Sequence, residues 1–262
     1  MPGQTQKPAL IIVMGTSGCG KSTVGLALAQ ALAIPFVDGD DLHPAANVAK
    51  MSAGHPLTDE DRIPWLHRIR EDAILLTSAR GLAALDTPHP GPEPSQASSD
   101  PVSQELSLAL SRVQAGSLQA RVEAKERGQE RKREGVVVAC SALKREYRDL
   151  LRGEETTVVV PDRPDDKFIE QDKHLDQEIE TFFVYLQGTR PLLLNRMQHR
   201  PGHFMKATML DSQLATLQEP HETDEPRVVV VALGQGEEAS EERGKEVVTN
   251  EVVTKITKFI GE

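Results

Sequence analysis

The run Gly15-Thr16-Ser17-Gly18-Cys19-Gly20-Lys21-Ser22 has the residue types and spacing of a phosphate cradle. Glycines let such a loop wrap closely, so that backbone N–H groups point at phosphate oxygens. A helix starting where the loop ends adds roughly half a positive charge. Lys21 is then placed to bridge the β- and γ-phosphates of ATP, and the hydroxyl of Ser22 to hold Mg2+, with Thr23 next in the same turn. Cys19 lies inside the loop. A thiol near a helix N-terminus can be acidified, although a small residue filling a variable position is the simpler reading. The loop alone serves kinases, GTPases and motor ATPases, so it does not name an acceptor.

A second group is Asp38-Gly39-Asp40-Asp41, followed by Leu42-His43-Pro44. In an open α/β sheet, ligands bind beyond the carboxyl ends of the strands. One carboxylate there can hold the hydration shell of Mg2+, and another can accept a proton from an attacking hydroxyl. Asp40 is assigned to the hydroxyl and Asp38 to the metal side. The competing reading is a β-turn that uses Asp and Gly for their turn chemistry.

Both groups need a sheet to hold them. Apolar runs at 9–14, 135–140, 181–186 and 227–232 predict buried parallel strands, and a shorter run at 35–38 precedes the Asp-Gly-Asp turn. Helical spacing joins Val24, Leu28 and Leu32, then Trp65, Ile69 and Leu76, and finally Val248, Val252, Ile256 and Phe259. Strands alternating with helices predict one α/β domain over residues 1–262, with a central five-stranded parallel sheet covered on both faces. Three stretches break the pattern, at about 80–133, 153–180 and 234–246, and read as flexible insertions. The first includes the Pro- and Ser-rich residues 86–104; a helix is expected to return through 120–134, and an edge strand is conceivable at 157–160.

Composition narrows the setting. A net charge of −10 and a pI near 5.4 disfavour nucleic acid and anionic membrane as partners. An anionic substrate then needs a locally positive site. Two cysteines form no disulfide framework or zinc cluster, no stretch reads as a leader, and no apolar run approaches a membrane span. A cytoplasmic protein is expected.

The surroundings of the aspartates are more specific. Asp38-Gly39-Asp40 with His43, Asn47, the run from Lys50 through Asp59, Asp61, Arg62 and Trp65 to Leu66, then Cys140-Ser141-Ala142-Leu143-Lys144 with Tyr147 and Arg148, and lastly Arg200 to Lys206 leading to Gln213 and Gln218-Glu219-Pro220, resemble the gluconate kinase family. The matching blocks cover roughly residues 8–77, 134–152 and 181–233, in the family's order. The resemblance implies a P-loop, nucleoside-monophosphate-kinase-like fold with a mobile lid, at about 196–209, and transfer of phosphate from ATP to the 6-hydroxyl of D-gluconate. Arg62, Lys144 and Arg148 would supply cations for the substrate carboxylate, which an arginine can grip with two bonds. His43 and Trp65 would shape the polyol pocket, although a tryptophan on an amphipathic helix is equally a core residue. Arg196, Arg200, His203 and Lys206 would close over the phosphates, with Arg200 neutralising charge on the transferring group. Gln218 and Pro220 would border the adenine. Similar proteins are often dimers, so a homodimer is an expectation.

Two rival enzymes and one other class share parts of this pattern. A shikimate kinase has the loop, the paired aspartates and an arginine for a carboxylate, but expects a glycine triplet where this chain has Cys140-Ser141-Ala142. An adenylate-kinase-like site suits a base better than a polyol. A non-catalytic nucleotide-binding scaffold has no need of Lys21, Ser22, Asp38 and Asp40 together.

Overall fold

Every residue of β1 (Ala9–Met14) is apolar and buried, as a strand covered on both faces requires. It forms the centre of the sheet. β3 (Gly135–Ala139) lies on one side and β4 (Glu180–Gln187) on the other. β2 (Phe36–Asp38) and β5 (Val228–Ala232) complete an all-parallel order β2-β3-β1-β4-β5. The five-stranded parallel sheet expected from the apolar runs is therefore present. The computed structural model describes residues 6–86, 100–129, 133–154, 179–199, 207–235 and 241–261.

Helices cover both faces. One core joins the sheet to α1 (Lys21–Leu32) through Val24, Leu28 and Ala29, and to the C-terminal helix Lys245–Ile260 through Val248, Val252, Ile256 and Ile260. Ile260 rather than Phe259 completes that stripe; Phe259 sits half-buried, edge-on to Phe182. The opposite core packs α3 (Asp59–Thr77) against the sheet, with Ile63, Trp65, Leu66 and Ile69 facing inward, and α2 (Ala45–Ser52) precedes it. Thr58 opens α3 with a capping box, its hydroxyl and backbone paired with Asp61.

The described residues of the stretch at about 80–133 include helices. α4 (Ala79–Leu85) is followed by α5 (Pro101–Ser111), which starts at an Asp100 cap, and by α6 (Ala115–Glu126). Their apolar side is small, but their arginines find acid partners. Arg112 bonds Asp72 of α3 at 2.9 Å, and Arg121 bonds Asp86 at 2.8 Å and Glu134 at 3.0 Å. Val113 bridges antiparallel to Val37, and the Phe36 amide donates to the Ser117 hydroxyl at 2.9 Å. The insertion thus covers the open edge of β2, the strand that ends at the aspartates. In the third stretch, β6 (Gly234–Gln235) pairs antiparallel with β7 (Glu241–Glu242). The edge strand considered at 157–160 lies outside the described residues.

The remaining helices are α7 (Arg145–Arg152) after β3, α8 (Arg190–Gln198) after β4, α9 (Ala207–Thr216), and α10, the C-terminal helix named above. Among the described residues, no helix is long and apolar enough to cross a membrane.

Candidate active site

The loop between β1 and α1 curls through left-handed backbone at Gly15, Gly18 and Gly20, with φ of 139°, 83° and 95°. Gly20 caps α1 without a side chain, which leaves the helix N-terminus open for an anion. The amides of Gly18 and Gly20 donate to no protein acceptor among the described residues. Lys21 holds its ammonium 3.2 Å from the Thr16 carbonyl oxygen. Arg196 reaches the same loop from α8: one nitrogen donates to the Cys19 carbonyl at 3.3 Å, while Nε pairs with Glu242 at 2.9 Å. A residue that sequence reasoning gave no role, Gln213 of α9, accepts from the Ser17 amide at 2.7 Å. Cys19 and Cys140 are both free and buried, and burial pushes the Cys140 thiol up to about 12. Neither is poised as a nucleophile.

The second half of the site begins where β2 ends. The Ser22 hydroxyl donates to Asp38 Oδ2 at 2.6 Å, so the two oxygens proposed for Mg2+ stand together. Asp38 Oδ1 accepts from the Asp40 amide at 3.2 Å and folds the chain into a short 3-10 turn, residues 39–42. That turn leaves Asp40 exposed at the mouth of the site. The turn chemistry is therefore present, and the turn sets where the two carboxylates stand. The Asp38–Ser22 pair suits Mg2+, which takes one or two protein oxygens and completes its shell with phosphate and water. No cage of three or more acidic, His or Cys ligands occurs among the described residues.

His43 follows the turn and stacks on Trp65, with ring centroids 4.1 Å apart and an 18° interplanar angle. Burial holds its imidazole below the ordinary 6.5; Asp40 pulls upward and Arg62 adds to the lowering. His43 is thus neutral at pH 7. Trp65 is itself only 3% exposed, and its indole N–H donates to the Gly39 carbonyl at 2.7 Å. Its one polar atom is committed to the turn, so Trp65 positions Gly39 and His43 rather than bonding a ligand. Asn47, which is buried, donates to the Asp61 carbonyl at 2.8 Å and lies 3.5 Å from His43 Nδ1.

Lys144 and Arg62 meet beside this pocket. Lys144 bonds Asp59 at 2.5 Å and Glu146 at 3.3 Å, and the Tyr147 hydroxyl donates to the other Asp59 oxygen. Both cations face the Tyr147 ring, Lys144 at 5.5 Å and Arg62 at 6.0 Å from its centroid. The Lys144 bond, then the Tyr147 bond, holds the Asp59 carboxyl below its usual range. Burial, then the bond to Asp59, pushes Tyr147 up to about 12. Burial alone would lower Lys144, but Asp59, Tyr147 and Glu146 together raise it. Asp59 and Tyr147 fall within the blocks that resemble the gluconate kinases, yet nothing in their types assigned them this contact.

Arg148 does not join the cluster, which corrects its expected place at the substrate. It is 1% exposed and donates to Glu225 through Nε at 2.8 Å and through a second nitrogen, and to the Ala142 carbonyl at 3.0 Å. Arg152 bonds the same Glu225 at 3.0 Å. This buried triad ties α7 to the chain before β5. Gln218 likewise acts locally. Its side-chain oxygen accepts from the Arg145 amide at 2.8 Å, steadying the connection that carries Lys144. Pro220 is buried nearby in sequence. Arg200, His203 and Lys206, and the rest of residues 200–206 of the expected lid, lie outside the described residues.

The family model and the curated relatives that match this chain are small-molecule kinases. A family model described as shikimate kinase matches residues 17–67, which take in most of the phosphate loop, the aspartate turn and the start of α3. A probable gluconokinase of Schizosaccharomyces pombe is 31% identical over 239 residues, covering 91% of this chain and 87% of the relative. A gluconokinase of Gluconobacter oxydans is 35% identical over 224 residues, covering 86% and 83%. The crystal structure of a gluconokinase from Sinorhizobium meliloti superposes with a TM-score of 0.57 at 31% identity, covering 97% of this chain and 95% of that one.

Proposed function

Because this chain belongs to the gluconokinase family, we propose that it transfers the γ-phosphoryl group of ATP to the 6-hydroxyl of D-gluconate, giving 6-phospho-D-gluconate and ADP. The observation that carries the reading is the 2.6 Å Ser22–Asp38 bond, which brings the nucleotide loop and the acid-bearing turn into one site. The open α1 N-terminus and the free Gly18 and Gly20 amides take the phosphates. Lys21 and Arg196 supply positive charge around them. Ser22 and Asp38 would hold Mg2+, which supplies neutralisation of the phosphate oxygens.

Phosphoryl transfer is mostly a matter of positioning and charge. Asp40 takes the proton of the attacking hydroxyl as its oxygen bonds to the γ-phosphorus. The bond from phosphorus to the bridging oxygen breaks, and that oxygen leaves on ADP. Arg62 and Lys144 draw the gluconate carboxylate against a global charge of −10. Neutral His43, fixed on Trp65, offers a hydrogen bond to the polyol. Free, buried cysteines support a cytoplasmic setting. A homodimer is proposed on family resemblance alone and is read by sedimentation.

The test offers ATP and Mg2+ with gluconate, shikimate or AMP, and follows ADP release. Release with gluconate alone is expected. Turnover of shikimate instead, or of no acceptor, refutes the assignment. Asp40→Asn should lower kcat by about 10²–10⁴ while ATP still binds; near-normal turnover would remove Asp40 as the base.

A further inference from the structure

The Thr16–Ser17 peptide unit is held from both ends. Its carbonyl oxygen, on Thr16, lies 3.2 Å from the Lys21 ammonium. Its N–H, on Ser17, donates to the side-chain oxygen of Gln213, 2.7 Å away and 196 residues later in the chain. The amides of Gly18 and Gly20, by contrast, have no protein acceptor among the described residues. The loop also packs closely on α8, since a Cβ on Gly18 would come within 2.9 Å of the Leu193 carbonyl. α9 thus contributes one directional contact to a loop that α8 already braces.

We infer that Gln213 is a positioning residue for Lys21: it orients the Thr16–Ser17 peptide at the γ-phosphate end of the cradle, and so parks the ammonium where ATP collects it. A peptide released from Gln213 keeps only the 3.4 Å bond from the Cys19 amide beside Lys21, and can rotate, carrying its carbonyl away from Lys21. Because Gln213 touches the loop beside the lysine that reaches the β- and γ-phosphates, a charge placed on it must be felt by ATP more than by ADP. The inference rests on the nucleotide reading above, but not on the identity of the acceptor.

Calorimetric titration of the full chain with ATP-Mg2+ and ADP-Mg2+ tests it with two variants. Gln213→Glu keeps an acceptor for Ser17 but adds an anion. It should weaken ATP binding roughly five- to twentyfold at low salt, weaken ADP binding less, and lose most of the deficit as salt rises. Gln213→Leu removes the acceptor without charge. It should weaken ATP binding several-fold with no salt dependence, lower kcat, and leave the gluconate KM unchanged. Thermal unfolding midpoints of the nucleotide-free variants should match the parent. Wild-type ATP affinity in Gln213→Glu at low salt overturns the inference. Equal losses for ATP and ADP accompanied by a lower unfolding midpoint overturn it too, by showing a merely structural contact. A parent protein that binds no ATP would overturn the nucleotide reading itself.

Discussion

Replacing Arg148 by methionine should unfold this protein before it weakens acceptor binding. The side chain is 1% exposed and makes two bonds to Glu225, one to the Ala142 carbonyl at 3.0 Å and one to the Leu143 carbonyl at 3.3 Å. Methionine fills much of the volume but donates nothing. Glu225, also buried, would keep only Arg152 at 3.0 Å. Breaking a buried pair while leaving its partner charged costs about 3–5 kcal/mol. Folded domains are stable by only about 5–15 kcal/mol, so the loss is a large share of the whole. With a urea slope of roughly 1–3 kcal/mol per molar, the unfolding midpoint should fall by roughly 1–5 M. Neutralising the stranded partner, in Arg148→Met with Glu225→Gln, should recover part of that loss. Burial alone would raise the Glu225 carboxyl, but the two arginines hold it below its ordinary 4.5. Its stabilisation is therefore present above pH 4.5, is lost as pH falls through the lower folded value, and should vanish from the double variant. Folded Arg148→Met should show an ordinary gluconate KM. An unchanged urea midpoint with a tenfold higher gluconate KM would refute this reasoning and return Arg148 to the substrate.

Three further outcomes are expected. Trp65→Phe keeps the ring beside His43 but strands the Gly39 carbonyl now bonded at 2.7 Å, and should cost about 1–3 kcal/mol in urea unfolding. Gly39→Ala would set a Cβ 2.4 Å from the Ala139 carbonyl oxygen, backbone that cannot yield, so β2 must shift; gluconate turnover should collapse while calorimetry still detects ATP. The Asp61 carboxyl is held at about 2, first by Lys50 and then by Thr58, against an ordinary 3.8. Its contribution is present above pH 3.8 and fades as pH falls through about 2, so Asp61→Asn should flatten the decline of the urea midpoint below pH 4.

The phosphate loop and the aspartate turn were legible in the sequence because their chemistry is local. The loop needs glycines at fixed spacing, and the turn needs Asp38 to accept from an amide two residues on. The sheet was legible for a related reason: a strand buried on both faces admits no polar residue, and β1 contains none. The α5–α6 insertion was not. Its Pro- and Ser-rich lead, residues 86–104, reads as solvated chain, and what orders the helices is long-range contact, such as Arg112 with Asp72, 40 residues apart, and Ala109 and Val113 in the core.

The cations show where sequence reading reaches its physical limit. Arg62, Lys144 and Arg148 carry the same charge and stand equally near helix starts, so type and spacing cannot separate them. What separates Lys144 from Arg148 is the acid each one meets. Arg148 faces Glu225, a buried carboxylate 77 residues away that uses both of its oxygens on the α7 arginines. Lys144 meets Asp59, whose position at the start of α3 leaves it half-open to solvent, so that pair can be remodelled by an incoming carboxylate. A buried charge cannot leave its partner without a desolvation cost of several kcal/mol, whereas a half-exposed one exchanges partners cheaply. Exposure of the partner acid, a property of the folded chain alone, therefore separates a cation locked into the fold from one that can exchange partners.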